Sequence, residues 1–302
     1  MPKSVLFVGA ATYDAIAVVD HMPAADERLI ASEIRYAGGG PAATAAVAAK
    51  RLGLEVDLIA AIGNDDVGPH IQAGLVAEGI SPDLLQVEDG RASQASVILC
   101  SDVDATRSIA TRGVAALKLS RANRERVRAA EWVHVDHLGW PAVADALADV
   151  PLDRRPRISV DAGHPLVGDN ADACRVADVN VYAPPMEKLV ERYGDQPHED
   201  ILRAVPSHSV VATLGSGGSI GRDAAGEIYA SAGFVVPDFG STLGAGDVFH
   251  GALTAAIVQG QSMPDAITYA NAVAALSCRG VDGRSAIPDH DETIAFIREE
   301  RA

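Results

Sequence analysis

Two glycine-rich stretches carry the residue types that anion and phosphoryl chemistry needs. One is Ser241-Thr242-Leu243-Gly244-Ala245-Gly246-Asp247-Val248-Phe249-His250-Gly251-Ala252. Gly244 and Gly246 flank the point where a loop is predicted to become a helix, and with no side chains in the way the first-turn amides can point at an anion. A helix start carries about half a positive charge on N–H groups without internal partners. Amides aimed at a moving phosphoryl group would stabilise its transition state, where negative charge spreads over the oxygens. Asp247 stands in the same turn, able to accept the proton of an attacking hydroxyl. The helix dipole is expected to lower its pKa and make it a modest base. That suffices when the proton moves late and orienting the nucleophile matters more than basicity. The plainer alternative is an aspartate that caps a helix behind a flexible loop.

The second stretch is Gly38-Gly39-Gly40-Pro41-Ala42-Ala43-Thr44-Ala45-Ala46-Val47-Ala48-Ala49-Lys50-Arg51-Leu52-Gly53. Again glycines feed a helix, with Pro at its start. Three consecutive glycines exceed the need of a turn and let a ligand lie against the backbone. An Ala-rich core helix behind a tight turn is the alternative. His134-Val135-Asp136-His137 alternates like a metal site but lies at a strand end, which favours a structural role.

These sites need a scaffold, and most of the chain alternates short apolar runs with helical patterns. Strands are predicted over 4–9, 55–62, 132–136, 157–161, 178–182 and 209–214. Helices are predicted over 41–52, 68–78, 141–150, 186–193 and 200–205, then 247–259, 263–277 and 291–300. Such alternation predicts a parallel sheet covered on both faces, an α/β fold. Strand pairs near 15–37 and 92–112 interrupt it, the second turning at 101–104, and suggest a small separate β-sheet that closes over a substrate. No linker or repeat divides residues 1–302 into further domains.

Composition narrows the classes. Of 302 residues 48% are apolar and only 4% aromatic, so the core must be mostly Ala, Val, Leu and Ile. A net charge of −16 with no basic patch argues against nucleic acid as a partner. Local anion binding stays open, because amides and helix ends supply positive potential. The three cysteines, Cys100, Cys174 and Cys278, are odd in number and far apart, which suits a reducing cytoplasm rather than a disulfide scaffold. Val5–Ala11 has one basic residue before it and Asp14 soon after, and is expected to be a buried strand rather than a secretory signal. No apolar run approaches the roughly 20 residues of a membrane span.

The two glycine regions together resemble the ribokinase-like (PfkB) family of carbohydrate kinases, whose signatures stand in this order and at about this separation. The resemblance covers nearly the whole chain. It implies a three-layer α/β/α domain with a β-sheet lid, ATP as donor and Mg²⁺ as helper ion. It makes Asp247 the catalytic base, and Gly244, Ala245 and Gly246 the anion hole. Asp14, five residues past Gly9, matches a sugar-hydroxyl-binding aspartate, and Gly39 and Gly40 match the glycines beside the sugar. Thr213-Leu214-Gly215-Ser216-Gly217-Gly218 matches the nucleotide-holding segment, with Asn271 near the adenine pocket. Departures are visible. Thr44 stands where the family often has Asn, so sugar contacts must differ. Ser241-Thr242-Leu243 replaces Asp-Thr-Thr, which removes an acid from any ribokinase-type potassium site. The magnesium-associated Asn-x-x-Glu is absent near 183–188, leaving Glu187 as its candidate replacement.

Among branches, the glycine regions and Gly283-Arg284-Ser285-Ala286-Ile287-Pro288-Asp289 look most like the sulfofructose kinases, which phosphorylate C1 of a sulfonated ketohexose. A sulfonate needs cationic or amide donors, which Arg28, Arg107 or Arg112 could supply. His137-Leu138-Gly139-Trp140 carries no arginine where that branch would place one. The reading is thus ATP-dependent phosphorylation of a small sugar or sugar derivative. A nucleoside kinase of the same fold, or a non-catalytic sugar- or nucleoside-binding protein, are the alternatives. Gly9-Ala10-Ala11-Thr12-Tyr13-Asp14 lacks the dinucleotide fingerprint, and no Gly-x-x-x-x-Gly-Lys-Ser/Thr occurs. Exposed lid edges suggest pairing of two lids in a homodimer.

Overall fold

The computed structural model describes residues 3–101, 103, 106–113, 116–163 and 179–300. The first strands are β1 (Ser4–Val8), β2 (Thr12–Val19), β3 (Glu33–Gly39), β4 (Glu55–Ile59), β5 (Ala61–Gly63), β6 (Gln86–Glu88) and β7 (Ser96–Ser101). The remaining strands are β8 (Arg107–Thr111), β9 (Trp132–Val135), β10 (Arg157–Asp161), β11 (Val181–Ala183), β12 (Ser209–Thr213), β13 (Ser219–Arg222) and β14 (Ile228–Ser231). Helices are α1 (Pro41–Arg51), α2 (Gly68–Ala77), α3 (Arg121–Ala129), α4 (Gly139–Leu147) and α5 (Met186–Tyr193). They continue as α6 (His198–Ala204), α7 (Ala245–Gln259), α8 (Met263–Ser277) and α9 (His290–Glu300).

Eight strands form one sheet in the order β14-β13-β12-β11-β10-β9-β1-β4, parallel from β4 to β12 and antiparallel at β13 and β14. Strand β1 shows why both faces are covered. Val5 and Phe7 join a core with the alanines of α1 and the buried residues of α7 and α8, while Leu6 and Val8 join a second core with α4, α5 and α6. Alternate side chains of one apolar run therefore enter opposite layers, giving a three-layer α/β/α fold. Small residues bring α1 and α7 together: a Cβ on Gly251 would meet the Ala45 carbonyl oxygen at 2.2 Å. No helix among the described residues is long and apolar enough to cross a membrane.

A second sheet, β3-β2-β7-β8, lies apart from the first. The predicted strand pairs are present, with a shift that matters. β2 begins at Thr12 and β3 runs to Gly39, so Asp14 and Gly38–Gly39 belong to paired strands, with Thr12 opposite Gly39. Of the three glycines, Gly40 alone makes the turn, at φ +90°. The expected strand over 55–62 divides after Ile59, because Ala61–Gly63 leaves the large sheet to pair with β6. Helix α7 starts two residues earlier than expected, at Ala245, and α4 starts at Gly139 rather than Pro141. Asp178, Cys174 and part of the 101–104 turn lie outside the described residues.

Candidate active site

Parallel sheets present ligands at the carboxyl ends of their strands, where successive connections diverge. Here β1 connects to β4 on one side, while β9 lies on the other. Asp136 fills that junction. Its Oδ2 accepts from the Ala10 and Ala42 amides at 2.7 and 3.1 Å, and its Oδ1 from those of Leu138 and Gly139, each at 2.9 Å. Four amides satisfy one buried carboxylate, tying the end of β1 to the starts of α1 and α4. The His134–His137 segment is thus structural, as its strand-end position suggests.

Two cavities open above this junction, and the loop leading into α7 is their shared wall. The smaller, of about 50 Å³, is lined by Asp14, Ile16, Gly38, Gly39, Gly40, Thr44, Leu243, Gly244, Asp247 and Gly283. The larger, of about 640 Å³, reaches Ala245 and Gly246 from the other side. Its lining includes Thr213, Gly215 and Gly218 and an apolar group of Phe234, Val235, Val236, Phe239 and Ala274. Gly244 takes left-handed φ +74° and ends the loop, and a Cβ there would stand 2.7 Å from the Gly283 Cα. Nothing lies within 4 Å of a Cβ built on Gly246. The Ala245 amide is not free for an anion, because it closes a turn onto the Thr242 carbonyl at 3.2 Å. The open donors of this helix start are therefore those of Gly246 and Asp247, whose helical acceptors would precede the helix.

Burial sets the electrostatics. Asp14 is 8% exposed; its Oδ2 accepts from the Thr12 hydroxyl at 2.8 Å and its Oδ1 from the Ser96 amide at 2.8 Å. Burial raises its carboxyl pKa against those hydrogen bonds. Asp247 is pushed up to about 7, first by desolvation and then by the Asp161 charge. The expected lowering by the helix start does not prevail: dehydration in a small enclosed space outweighs a dipole that acts at the helix end. Behind Asp247, His250 Nε2 stands 3.1 Å from Asp161 Oδ1. Desolvation opposes charge on both, yet the imidazole holds the Asp161 carboxyl below its ordinary range, and Asp161 raises His250. His134 Nδ1 meets Ser159 Oγ at 2.9 Å, and burial takes its pKa down to about 3.

Sequence-selected residues sort unequally. Asp14, Gly39, Gly40 and Thr44 share the small cavity with Asp247, and Thr213, Gly215, Gly218 and Asn271 line the large one. The Asn271 amide is already engaged, donating to the Ser231 and Ala232 carbonyls at 3.1 and 3.3 Å. Arg107 faces the large cavity instead of the small one, with Nη1 donating to Thr242 Oγ1 at 2.7 Å. Arg112 is held by the Asp65 carboxylate and the Ser93 carbonyl. Arg28, on the exposed 20–32 connection, and Glu187, exposed in the first turn of α5, line neither cavity. No cluster of three carboxylate, histidine or cysteine side chains suited to a metal gathers among the described residues. Mg²⁺ accompanying a nucleotide would therefore lean on phosphate oxygens and water, as that ion commonly does.

Two participants stand in the stretches quoted above but received no site role from the sequence. Arg284 lies beneath the small cavity, its Nη2 donating to the Gly39 carbonyl at 2.6 Å and its Nε to Thr44 Oγ1 at 3.2 Å. Nothing in its local sequence reveals that contact, which joins positions 240 residues apart. His250 had a signal: three residues after Asp247 in a helix, it shares that residue's face.

Two cavities divided by one loop define the class, an enzyme that brings two substrates together. The chain belongs to the pfkB family of carbohydrate kinases, whose description matches residues 2–290. It is an ATP-dependent carbohydrate kinase. It is 30% identical over 299 residues to the ATP-dependent ribose-1-phosphate kinase of Halopiger xanaduensis, covering 98% of both chains. The Haemophilus influenzae ribokinase is 24% identical over 322 residues, covering 98% of this chain and 99% of its own. The Arabidopsis thaliana ribokinase structure, complexed with ribose and ATP, shares the fold at TM-score 0.81 and 22% identity, covering 98% of this chain and 99% of that one.

Proposed function

We propose that the chain transfers the terminal phosphoryl group of ATP to a hydroxyl of a small sugar or sugar derivative held between Asp14 and Asp247. The carrying observation is that these carboxylates line one cavity while the amide turn beside Asp247 opens into the other. ATP occupies the larger cavity, adenine against the apolar group and phosphates toward Gly246. Asp14 accepts a hydrogen bond from one acceptor hydroxyl; Asp247 orients a second and takes its proton. The Gly246 and Asp247 amides stabilise charge on the transferring group. Magnesium, when bound with ATP, neutralises further phosphate charge. An Asp247 pKa near 7 suits a base that works at neutral pH.

The narrow acceptor cavity and its paired carboxylates favour a compact polyol over a nucleoside, and ribose, ribose 1-phosphate and a ketohexose all fit that description. Sulfofructose belongs in the same test set, although none of Arg28, Arg107 and Arg112 lines the acceptor cavity. The small sheet acts as the lid. Asp14, Ile16 and Arg107 point inward from it, and closure excludes water that would otherwise compete for the phosphoryl group. Its outer face is apolar. Ile34 and Tyr36 are 66% and 65% exposed, and Tyr36 shares a cross-strand row with Ala15 and Val97. A second copy covering that face makes a homodimer, which sedimentation of the wild type and of Tyr36→Lys would test. For the activity, ADP release and ³¹P NMR would be followed with ribose, ribose 1-phosphate, fructose, sulfofructose and inosine. Acceptor-dependent ADP from a sugar is expected. Turnover confined to inosine, or no acceptor-dependent turnover above Asp247→Asn, would defeat the reading.

A further inference from the structure

Arg284 is 7% exposed, on the connection between α8 and α9. A buried guanidinium costs heavily unless carboxylates or fixed acceptors compensate it. Its hydrogen-bond acceptors are neutral, the Gly39 carbonyl and the Thr44 hydroxyl. Gly38 makes its space, since a Cβ there would come within 2.4 Å of Nη1. Four carboxylates act on its charge: Glu78, Asp14, Asp247 and Asp282. Two have other partners. Arg51 Nη2 bonds Glu78 at 2.7 Å, and Asp282 receives Arg35 Nη1 at 2.8 Å together with the Arg284 and Ser285 amides. The other two are the acids of the acceptor cavity. Asp14 receives a hydroxyl and an amide, with Arg284 as its cationic neighbour. Asp247 faces Asp161, Asp136, the imidazole of His250, and Arg284.

We propose that Arg284 is a positioning residue of the acceptor site: from beneath the glycine floor its fixed charge lets Asp14 and Asp247 carry charge side by side, while its N–H groups set the Gly39 carbonyl and the Thr44 hydroxyl against the acceptor. The inference rests on the roles given above to Asp14 and Asp247. Burial works against charge on Asp14, and burial with the Asp161 and Asp136 charges works against it on Asp247, so a cation near both favours the ionised form of each. Arg284 supplies that cation without occupying the cavity. Its own pKa is brought down by burial to about 10, so it stays charged at neutral pH. The Asp282 carboxylate holds the connection itself in place by tying it to Arg35 on the lid strand β3. The same contact links the connection that carries the cation to the lid.

Steady-state kinetics from about pH 5 to about pH 9 would test this, since the acidic limb of kcat/KM reports the free base. In Arg284→Met the limb should move up by about one pH unit, the scale of losing one opposite charge nearby. Acceptor KM should rise as well. Arg284→Lys should return the limb close to its wild-type position yet leave acceptor KM high, because an ammonium cannot reproduce the guanidinium fork. Gly38→Ala, which displaces the guanidinium, should raise acceptor KM and move the limb the same way as Arg284→Met. Uniform loss at every pH with an unmoved limb would overturn the proposal. Should Arg284→Met fail to fold by circular dichroism, wild-type limb and KM in both Arg284→Lys and Gly38→Ala would overturn it equally. Asp247→Asn separates the two readings. Near-normal turnover there removes the base itself, whereas an inactive Asp247→Asn beside an unmoved limb in Arg284→Met defeats the arginine alone.

Discussion

The glycine runs before α1 and before α7 look alike in sequence and do opposite physical work. At Gly38–Gly40 the missing side chains admit other residues. A Cβ on Gly38 would strike Arg284, one on Gly39 would lie 2.2 Å from Asp14 Oδ2, and one on Gly40 would lie 2.6 Å from the Ala10 carbonyl oxygen. At Gly246 nothing occupies that space, and the amides of the following turn face an open cavity. The first run packs charges under a floor, while in the second Gly244 packs against Gly283 and Gly246 keeps a place clear for a ligand. A Gly-rich helix start is therefore no single device, and what surrounds the absent Cβ tells the two apart.

Substitutions can break that contrast or sharpen it. Asp247→Asn should lower kcat by about two to four orders of magnitude, the cost of a lost general base and a misoriented nucleophile. Nucleotide affinity measured by calorimetry should survive. The same variant should melt higher near pH 8. The folded carboxyl titrates near 7 and the unfolded one near its ordinary 3.8. The folded state therefore holds the proton more tightly, and stability falls as pH rises across that interval. Removing the group removes that loss. Differential scanning calorimetry at two pH values checks the sign.

The two floors should fail differently when a methyl group is added. Gly39→Ala meets Asp14 and Thr12 and should raise acceptor KM by roughly 10- to 100-fold, as displaced positioning groups do. Gly246→Ala meets no protein atom, so the fold should tolerate it and the KM for ATP should carry the defect. Equal effects on both substrates would erase the distinction drawn between the runs. In the wild type, kcat/KM should climb about tenfold per pH unit below 7 and level off above it, as ionisation of a single base requires. Arg112→Gln marks the small end of the scale. Its guanidinium is spent on Asp65 and the Ser93 carbonyl, so kcat and both KM values should stay within about twofold of wild type, with any loss confined to stability.

Legibility in the sequence followed the range of the interactions involved. The parallel strands and the helices of the large layer were readable because periodicity is local and both sheet faces are apolar. Asp14, Gly39, Gly40, Thr44 and Asp247 were readable as candidates through motif resemblance, and they do share one cavity. The arginines were not. Arg107 and Arg112 lie five residues apart, at the start of β8 and just past its end, yet one faces the donor cavity and the other pairs with Asp65. Side-chain direction in a strand pair depends on register, and register depends on the partner strand.

By itself the chain determined its layered α/β character, its family and the local chemistry of a helix start bearing an acid, since each is written in residues close together. Tertiary structure alone decided that Arg284 lies under Gly39, that Asp161 and His250 back Asp247, and that burial overrides the dipole in setting the base. Those are effects of charges brought within a few ångströms across more than 80 residues of chain, at a dehydration that no local pattern records.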